Sequence, residues 1–401
     1  MNRNYLLLSL LVTISSSIQL YAQENEIGYF KSGYLGARQS FREKAHEIQN
    51  KYPESRIYTV QVPSKTDNDL TVDLLYIPGP EKQEKLLIIS SGVHGIEGFV
   101  GNAVQSMFID SFIDDDLLAE TGIMLIHSVN PYGFKYLRRV SENNVDLNRN
   151  SSVDSATYSI VNEGYPKLYS FINPNGKVNT RSCGNRMFKI RAIFKIINAS
   201  MPVLRQTVLQ GQYQYPKGLY FGGKTFEPQI QALTPLIDSI CEPYKIIFTT
   251  DLHSGYGERG KLHLFPNPVD SLTRSRMEPI FAGYPIDWGD TKDFYTVTGD
   301  FVNLTGELNR GKIFIPMTFE YGTMNSQTTK GSLNSIRIMV LENQGHQFGY
   351  RHEADSVKVK NDFIEMYNPS SEEWRLKVIT DTWNMYKTIL PRFLSIDFYK
   401  E

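Results

Sequence analysis

The 401-residue chain has little net charge, few cysteines and no long apolar run beyond its N-terminus. Each shortage excludes something. A formal net charge of −1 leaves no electrostatic footprint for nucleic acid, and no long basic or acidic block suggests a charged tail. No stretch after the N-terminus reaches the ~18 uninterrupted apolar residues of a membrane span. Heptad and solenoid-type repeats are absent. The two cysteines, Cys183 and Cys241, allow one disulfide in an oxidising compartment or two free thiols, and spacing does not decide between them.

What is present begins with a leader. Arg3 gives a positive start, Tyr5 to Leu11 is apolar, and Leu20-Tyr21-Ala22 precedes Gln23. This is the layout of a secretory signal peptide over residues 1–22, cleaved near Ala22. No cysteine follows the apolar core, which argues against a lipid anchor. The expected product is a secreted or periplasmic protein. Residues 23–401, 41% hydrophobic over the whole chain, suffice for a sizeable core, and no Pro/Gly/Ser linker divides them, so one domain is expected.

Periodicity gives the elements. Tyr34 to Lys51 reads as a helix with Phe41, Ala45 and Ile48 on one face. Ile57–Val62 and Leu70–Ile77 alternate with period two, as an antiparallel pair at a sheet edge would. Leu86–Ser91, Gly122–Val129, Lys245–His253 and Ile313–Glu320 are apolar runs that read as buried strands, and Leu262–Phe265 is a shorter one. Pro316 donates no ladder hydrogen bond, so a local irregularity is expected there. Helices are expected over Phe99–Phe112, Arg186–Leu204, Pro228–Ile240, Gly331–Gln344 and Glu372–Phe393. Alternating strands and helices predict an α/β fold with a mixed sheet covered on both faces.

Three of the buried strands end in chemistry. Leu86–Ser91 runs into Gly92-Val93-His94-Gly95-Ile96-Glu97-Gly98, whose glycines allow a tight turn and close backbone approach. Another strand ends at His253 and another at Glu320. Ligand and metal sites form just beyond the carboxyl ends of strands in open α/β sheets. Two imidazoles and a carboxylate are a known ligand set for a catalytic zinc with one open position. His94, Glu97 and His253 supply that set. Glu320, costly to bury without a task, is the candidate general base. The polar segment Arg138–Asn150 reads as a loop lining the site.

In order, His94-Gly95-Ile96-Glu97, Asn130-Pro131-Tyr132-Gly133, Asp146-Leu147-Asn148-Arg149-Asn150, Asp251-Leu252-His253-Ser254 and Phe319-Glu320-Tyr321 resemble the zinc carboxypeptidase superfamily, of the carboxypeptidase A type. The resemblance spans Leu86 to Thr323 and is similar to a bacterial branch of that superfamily. It implies a mixed twisted β-sheet sandwiched between helices, a phosphorylase/hydrolase-like three-layer architecture. It implies one Zn²⁺ per chain on His94, Glu97 and His253, and Glu320 as general base. It further implies Arg139 at the scissile carbonyl, with the neighbouring Arg138 an equal contender, and Asn148 and Arg149 on the substrate's terminal carboxylate. The implied reaction is hydrolysis of C-terminal peptide bonds. An N-acyl-amino-acid deacylase on the same fold, or a catalytically idle peptide- or glycan-binding module, are the alternatives. The chain departs from the pattern in three places. An insertion around residues 151–243 separates Arg149 from His253, the usual Asn-Pro-Asp-Gly reads Asn-Pro-Tyr-Gly, and the substrate-binding tyrosine has no clear counterpart. Tyr284 and Tyr295 are candidates for that tyrosine, and Trp288 and Asp290 for reading the terminal side chain.

Overall fold

A computed structural model describes residues 26–80, 84–199, 206–289 and 298–399. The expected signal segment, Tyr295 and Asp290 lie outside the described residues.

Seven strands form one sheet: β1 (Arg56–Gln61), β2 (Thr71–Ile77), β3 (Lys85–Ser91), β4 (Gly122–His127), β5 (Ile246–Gly255), β6 (Leu262–Phe265) and β7 (Ile313–Gly322). Their spatial order is β1-β2-β4-β3-β5-β7-β6. The central strands β4, β3, β5 and β7 are parallel. The outer strands β1, β2 and β6 run antiparallel to their neighbours, so the sheet is mixed. β1–β2 is the antiparallel edge pair that the alternation predicts, but only β1 is half-buried, whereas β2, flanked by β1 and β4, is buried throughout rather than half-buried as alternation suggests.

Alternation along the central strands divides the core. Leu87 and Ile89 of β3, Ile123 and Leu125 of β4, and Ile315, Met317 and Phe319 of β7 face one hydrophobic cluster. Helices α1 (Tyr34–Lys51), α2 (Gly98–Phe112) and α10 (Glu372–Ser395) cover it. Leu86 and Ile88, Met124 and Ile126, and Ile247 face the other. That side is closed by α4 (Tyr165–Ile172), α5 (Phe188–Ala199), α6 (Pro228–Cys241), α7 (Phe301–Leu308), α8 (Thr329–Phe348) and α9 (Glu353–Tyr367). On this second face, apolar residues give way to Ser90, Asp251, His253, Thr318 and Glu320 towards the carboxyl ends of the strands. The period-two rule therefore gathers these polar groups on one side of one sheet end.

Three expectations need correction. β7 is regular through Pro316, in unbroken register with β5 from Ile246↔Ile313 to Gly255↔Gly322. β6 pairs only with Thr318–Tyr321 and never reaches Pro316, so no ladder bond is lost there. The helix expected over Arg186–Leu204 is a short turn at Cys183–Arg186 followed by α5. Helix α9 was not assigned from the sequence, although Val359, Phe363, Met366 and Tyr367 recur at helical spacing and are buried. Cys183 is exposed and Cys241 buried, and both are free thiols. Among the described residues no helix is long and apolar enough to cross a membrane.

His127, at the end of β4, stacks on Phe41 with ring centroids 5.1 Å apart. Its Nδ1 lies 3.0 Å from Ser91 Oγ, and its buried Nε2 has no partner. Burial pushes its pKa down to about 3. Between the free value near 6.5 and that lower value the unfolded chain binds the extra proton, so stability should fall as pH falls through this window, by at most about 1.4 kcal/mol per pH unit. His127→Gln should flatten the pH dependence of urea midpoints between pH 6.5 and 3. An unchanged slope would refute this assignment.

Candidate metal centre and cleft

The turn after β3 is built by close backbone approach. Gly92 adopts φ +65°, and a Cβ there would collide with Ser128. A Cβ on Gly95 would fall 2.2 Å from the backbone of Gly133 and Phe134. Gly95 N–H donates to Arg139 O at 3.1 Å and Ile96 N–H to Arg138 O at 2.9 Å. The Asn-Pro-Tyr-Gly motif opens a short helix, α3 (Pro131–Lys135). Asn130 caps it through Oδ1 and donates from Nδ2 to Arg139 O at 3.1 Å. The turn carrying His94 and Glu97 is thus bolted to the loop carrying Arg139.

His94, Glu97 and His253 converge, with ligand atoms within 4.8 Å of one another and all three residues buried. His94 Nδ1 is 2.9 Å from Glu97 Oε1, His253 Nδ1 is 2.8 Å from Glu97 Oε2, and the two Nδ1 atoms are 3.0 Å apart. The far nitrogens fix the tautomers. His253 Nε2 donates to Asp251 Oδ2 at 2.6 Å, and His94 Nε2 donates to Asp146 Oδ1 at 3.2 Å. A carboxylate only accepts, so each Nε2 holds its proton and each Nδ1 turns a lone pair to the same point as the Glu97 oxygens. Such a set is self-repelling until positive charge fills it. A proton does so singly, and Asp251 and Glu97 accordingly outweigh burial to raise the His253 pKa well above its usual value. A divalent cation satisfies the whole set at once, with the carboxylate–imidazole pairing usual behind metal-bound histidines. The donor set therefore fits a metal. Burial opposes ionisation of Glu97, but the flanking imidazoles prevail and lower its pKa to about 2.

Glu320 stands beside His253 in the β5–β7 register and is open to the cleft, where its Oε1 accepts from Tyr256 N–H at 2.8 Å. Burial, then the nearby Glu97 charge, pushes its pKa up to about 8. A cation held by Glu97 cancels the second cause. Arg139 enters the same cleft. Its Nε donates to Asp146 Oδ2 at 3.1 Å and its Nη1 approaches Glu97 Oε1 at 3.5 Å. Asn148 and Arg149 also line the cleft. Arg149 Nη1 and Nη2 donate to the carbonyls of Asn148 and Leu209, while its buried Nε has no partner.

Arg138 is not brought to this cleft. Its guanidinium is buried against Glu342 Oε1 at 3.1 Å and Asn144 Oδ1 at 3.1 Å. Adjacent residues of an extended loop project to opposite sides, and Arg138 takes the inward one. Tyr284 bonds Thr388 and packs with the opposite core cluster, and Trp288 lies under Arg274; neither lines the cleft.

Four cleft residues carried no role in the sequence reading. Asp251 was legible, since two residues before His253 on a strand means the same face. Asp146 stands in the quoted motif, yet only the fold brings it behind His94. Tyr220 and Tyr367 had no local signal. Tyr220 comes from the insertion with φ +54° and lies under Arg139 and Arg149, 5.3 and 5.7 Å from its ring. Tyr367 ends α9, and its hydroxyl approaches Met339 Sδ at 3.1 Å.

Asp251→Asn should keep the fold and weaken Zn(II) binding by about 10–100-fold in a chelator competition. Undiminished affinity would deny Asp251 this supporting part.

The chain is similar in structure to bovine thrombin-activatable fibrinolysis inhibitor in complex with tick carboxypeptidase inhibitor (14% identity, 79% of this chain and 98% of that chain, TM-score 0.43). It is similar to carboxypeptidase A from Helicoverpa armigera (12%, 80% and 71%, TM-score 0.42). It is also similar to a metallo-carboxypeptidase from Burkholderia cenocepacia (12%, 75% and 66%, TM-score 0.37). No curated protein matches it. The family model described as "Protein of unknown function (DUF2817)" matches residues 30–381, and the chain belongs to that family.

Proposed function

We propose that the protein is an exported zinc-dependent hydrolase of amide bonds that works beside a substrate carboxylate, a metallocarboxypeptidase. The observation that carries this reading is the cleft itself. Two imidazoles and a carboxylate converge in it, a further carboxylate stands on the next strand, and two arginines line the same wall. Zinc bound by His94, Glu97 and His253 would supply Lewis acidity and a water acidified towards neutrality.

The chain's own groups then have distinct tasks. Glu320 takes a proton from water at one carboxylate oxygen while Tyr256 N–H holds the other. The same carboxyl passes that proton to the departing amine. Arg139, fixed through Nε by Asp146, directs its remaining donors at the carbonyl oxygen as negative charge develops. Arg149 and Asn148 hold the substrate carboxylate, Arg149 through Nε, the one guanidinium nitrogen not taken by a backbone carbonyl. Asp146 and Asp251 keep both imidazoles in the ligating tautomer. The leader that directs export remains part of this proposal.

One observation favours the smaller-substrate alternative, an N-acyl-amino-acid deacylase. The segment before His253 packs Leu209 and Tyr220 against Arg149, whose side chain is only 2% exposed. So confined an arginine suits a short substrate better than a long peptide.

Glu320→Gln should retain zinc and lose at least ~10²-fold in kcat on N-blocked dipeptides. The parent enzyme should cleave the free-acid dipeptide and leave its C-terminal amide intact. Equal turnover of acid and amide would overturn the carboxylate-directed reading. Faster turnover of simple acyl-amino acids than of dipeptides and longer peptides would select the deacylase.

A further inference from the structure

Charge is unevenly spread along this nearly neutral chain. Between Glu163 and Glu227 it carries ten Lys and Arg and neither Asp nor Glu. The cations are scattered rather than run together. The segment contributes α4 and α5 and lies on the cleft side of the sheet.

Helix α5 and the residue before it have two apolar faces where a packed surface helix needs one. Phe188 and Ala192 are buried, with Phe188 stacked on Phe171 at 4.8 Å. On the opposite side Met187, Ile190 and Ile193 are 42%, 48% and 47% exposed, and Phe194 is 64% exposed. Spacings of three, six and seven residues put these four on one outward stripe. Lys189 borders it on one side and Arg191, whose guanidinium lies 5.7 Å over the Phe171 ring, on the other; Arg186 stands at its N-terminal end, and all three are exposed. Neither Arg186 nor Lys189 has an ion pair among the described residues. Single exposed apolar residues are ordinary, but a contiguous stripe edged by cations is not.

We propose that this face docks the protein onto an anionic lipid surface. The apolar stripe enters the boundary between headgroups and acyl chains, and Arg186, Lys189 and Arg191 meet the anionic headgroups while their stems lie along the apolar layer. Charge complementarity selects this occupant. A second copy of the chain would set the same cations against one another, and a soluble polyanion leaves the stripe in water. Helix α5 packs against α8, whose Ser332, Ser335, Ile336 and Met339 line the cleft, so docking holds the catalytic opening near the surface. The proposal does not depend on the reaction assigned to the cleft.

The test is flotation of the full-length mature protein with phosphatidylglycerol-containing vesicles, with pure phosphatidylcholine vesicles as the control. Binding to the anionic vesicles, lost in 0.5 M NaCl and weak on the neutral ones, is expected. Ile190→Ser with Ile193→Ser, and separately Arg186→Glu with Lys189→Glu, should each reduce binding about tenfold or more at an unchanged melting temperature. The four positions are exposed, and the charge pair tests the same face should the serine pair lower the melting temperature. Absence of binding to anionic vesicles overturns the proposal. So does binding that survives both pairs, binding that survives the serine pair alone in a folded protein, or a dimer in light scattering that the serine pair dissolves.

Discussion

Two imidazole nitrogens and a carboxylate, buried within hydrogen-bond distance of one another, repel unless positive charge lies among them. Much of the surrounding structure meets that one constraint. Asp251, itself held by Ser90 Oγ at 2.7 Å, fixes the proton of His253 on the far nitrogen. Asp146 does the same for His94 and is kept ionised against burial chiefly by Arg139 and Arg149. Ser254 N–H donates to Glu97 at 3.2 Å. The glycines at 92 and 95 exist because the turn must press against the neighbouring backbone for His94 and Glu97 to arrive. Removing positive charge from the centre leaves a buried cluster whose members oppose one another.

The fold was legible wherever pattern and burial agree. The central strands are buried on both faces and read as apolar runs, and the β1–β2 edge pair reads as alternation. The convergence of His94, Glu97 and His253 was legible because each stands at the end of such a run. What failed depended on distant partners. Nothing local separates Arg138 from Arg139, because the distinction is made by Glu342, 204 residues away on α8. Pro316 in isolation looks disruptive, and only the short reach of β6 makes it harmless. Tyr220 and Tyr367 reach the cleft from a long connecting segment and from the end of α9, and nothing next to either tyrosine in the chain points to the site.

The segment between Arg149 and His253 helps to build this cleft. It backs Asp146 through a hydrogen bond from Asp146 N–H to Phe221 O at 2.7 Å, and it supplies the ring beneath both cleft arginines. It also takes up the two Nη groups of Arg149 with Arg149's own neighbour and Leu209. The segment therefore orders the loop that carries Asp146 and forms part of the cleft wall.

Asp146 has a consequence beyond orientation. One of its oxygens faces His94 and the backbone N–H of Asn148, and the other faces Arg139. A negative group arriving at Arg139 competes with Asp146 for that guanidinium and leaves the aspartate more basic towards His94. On the proposed reading, an ion at His94 and a substrate at Arg139 would be thermodynamically linked through this single carboxylate, and by reciprocity each would alter the affinity for the other by the same factor.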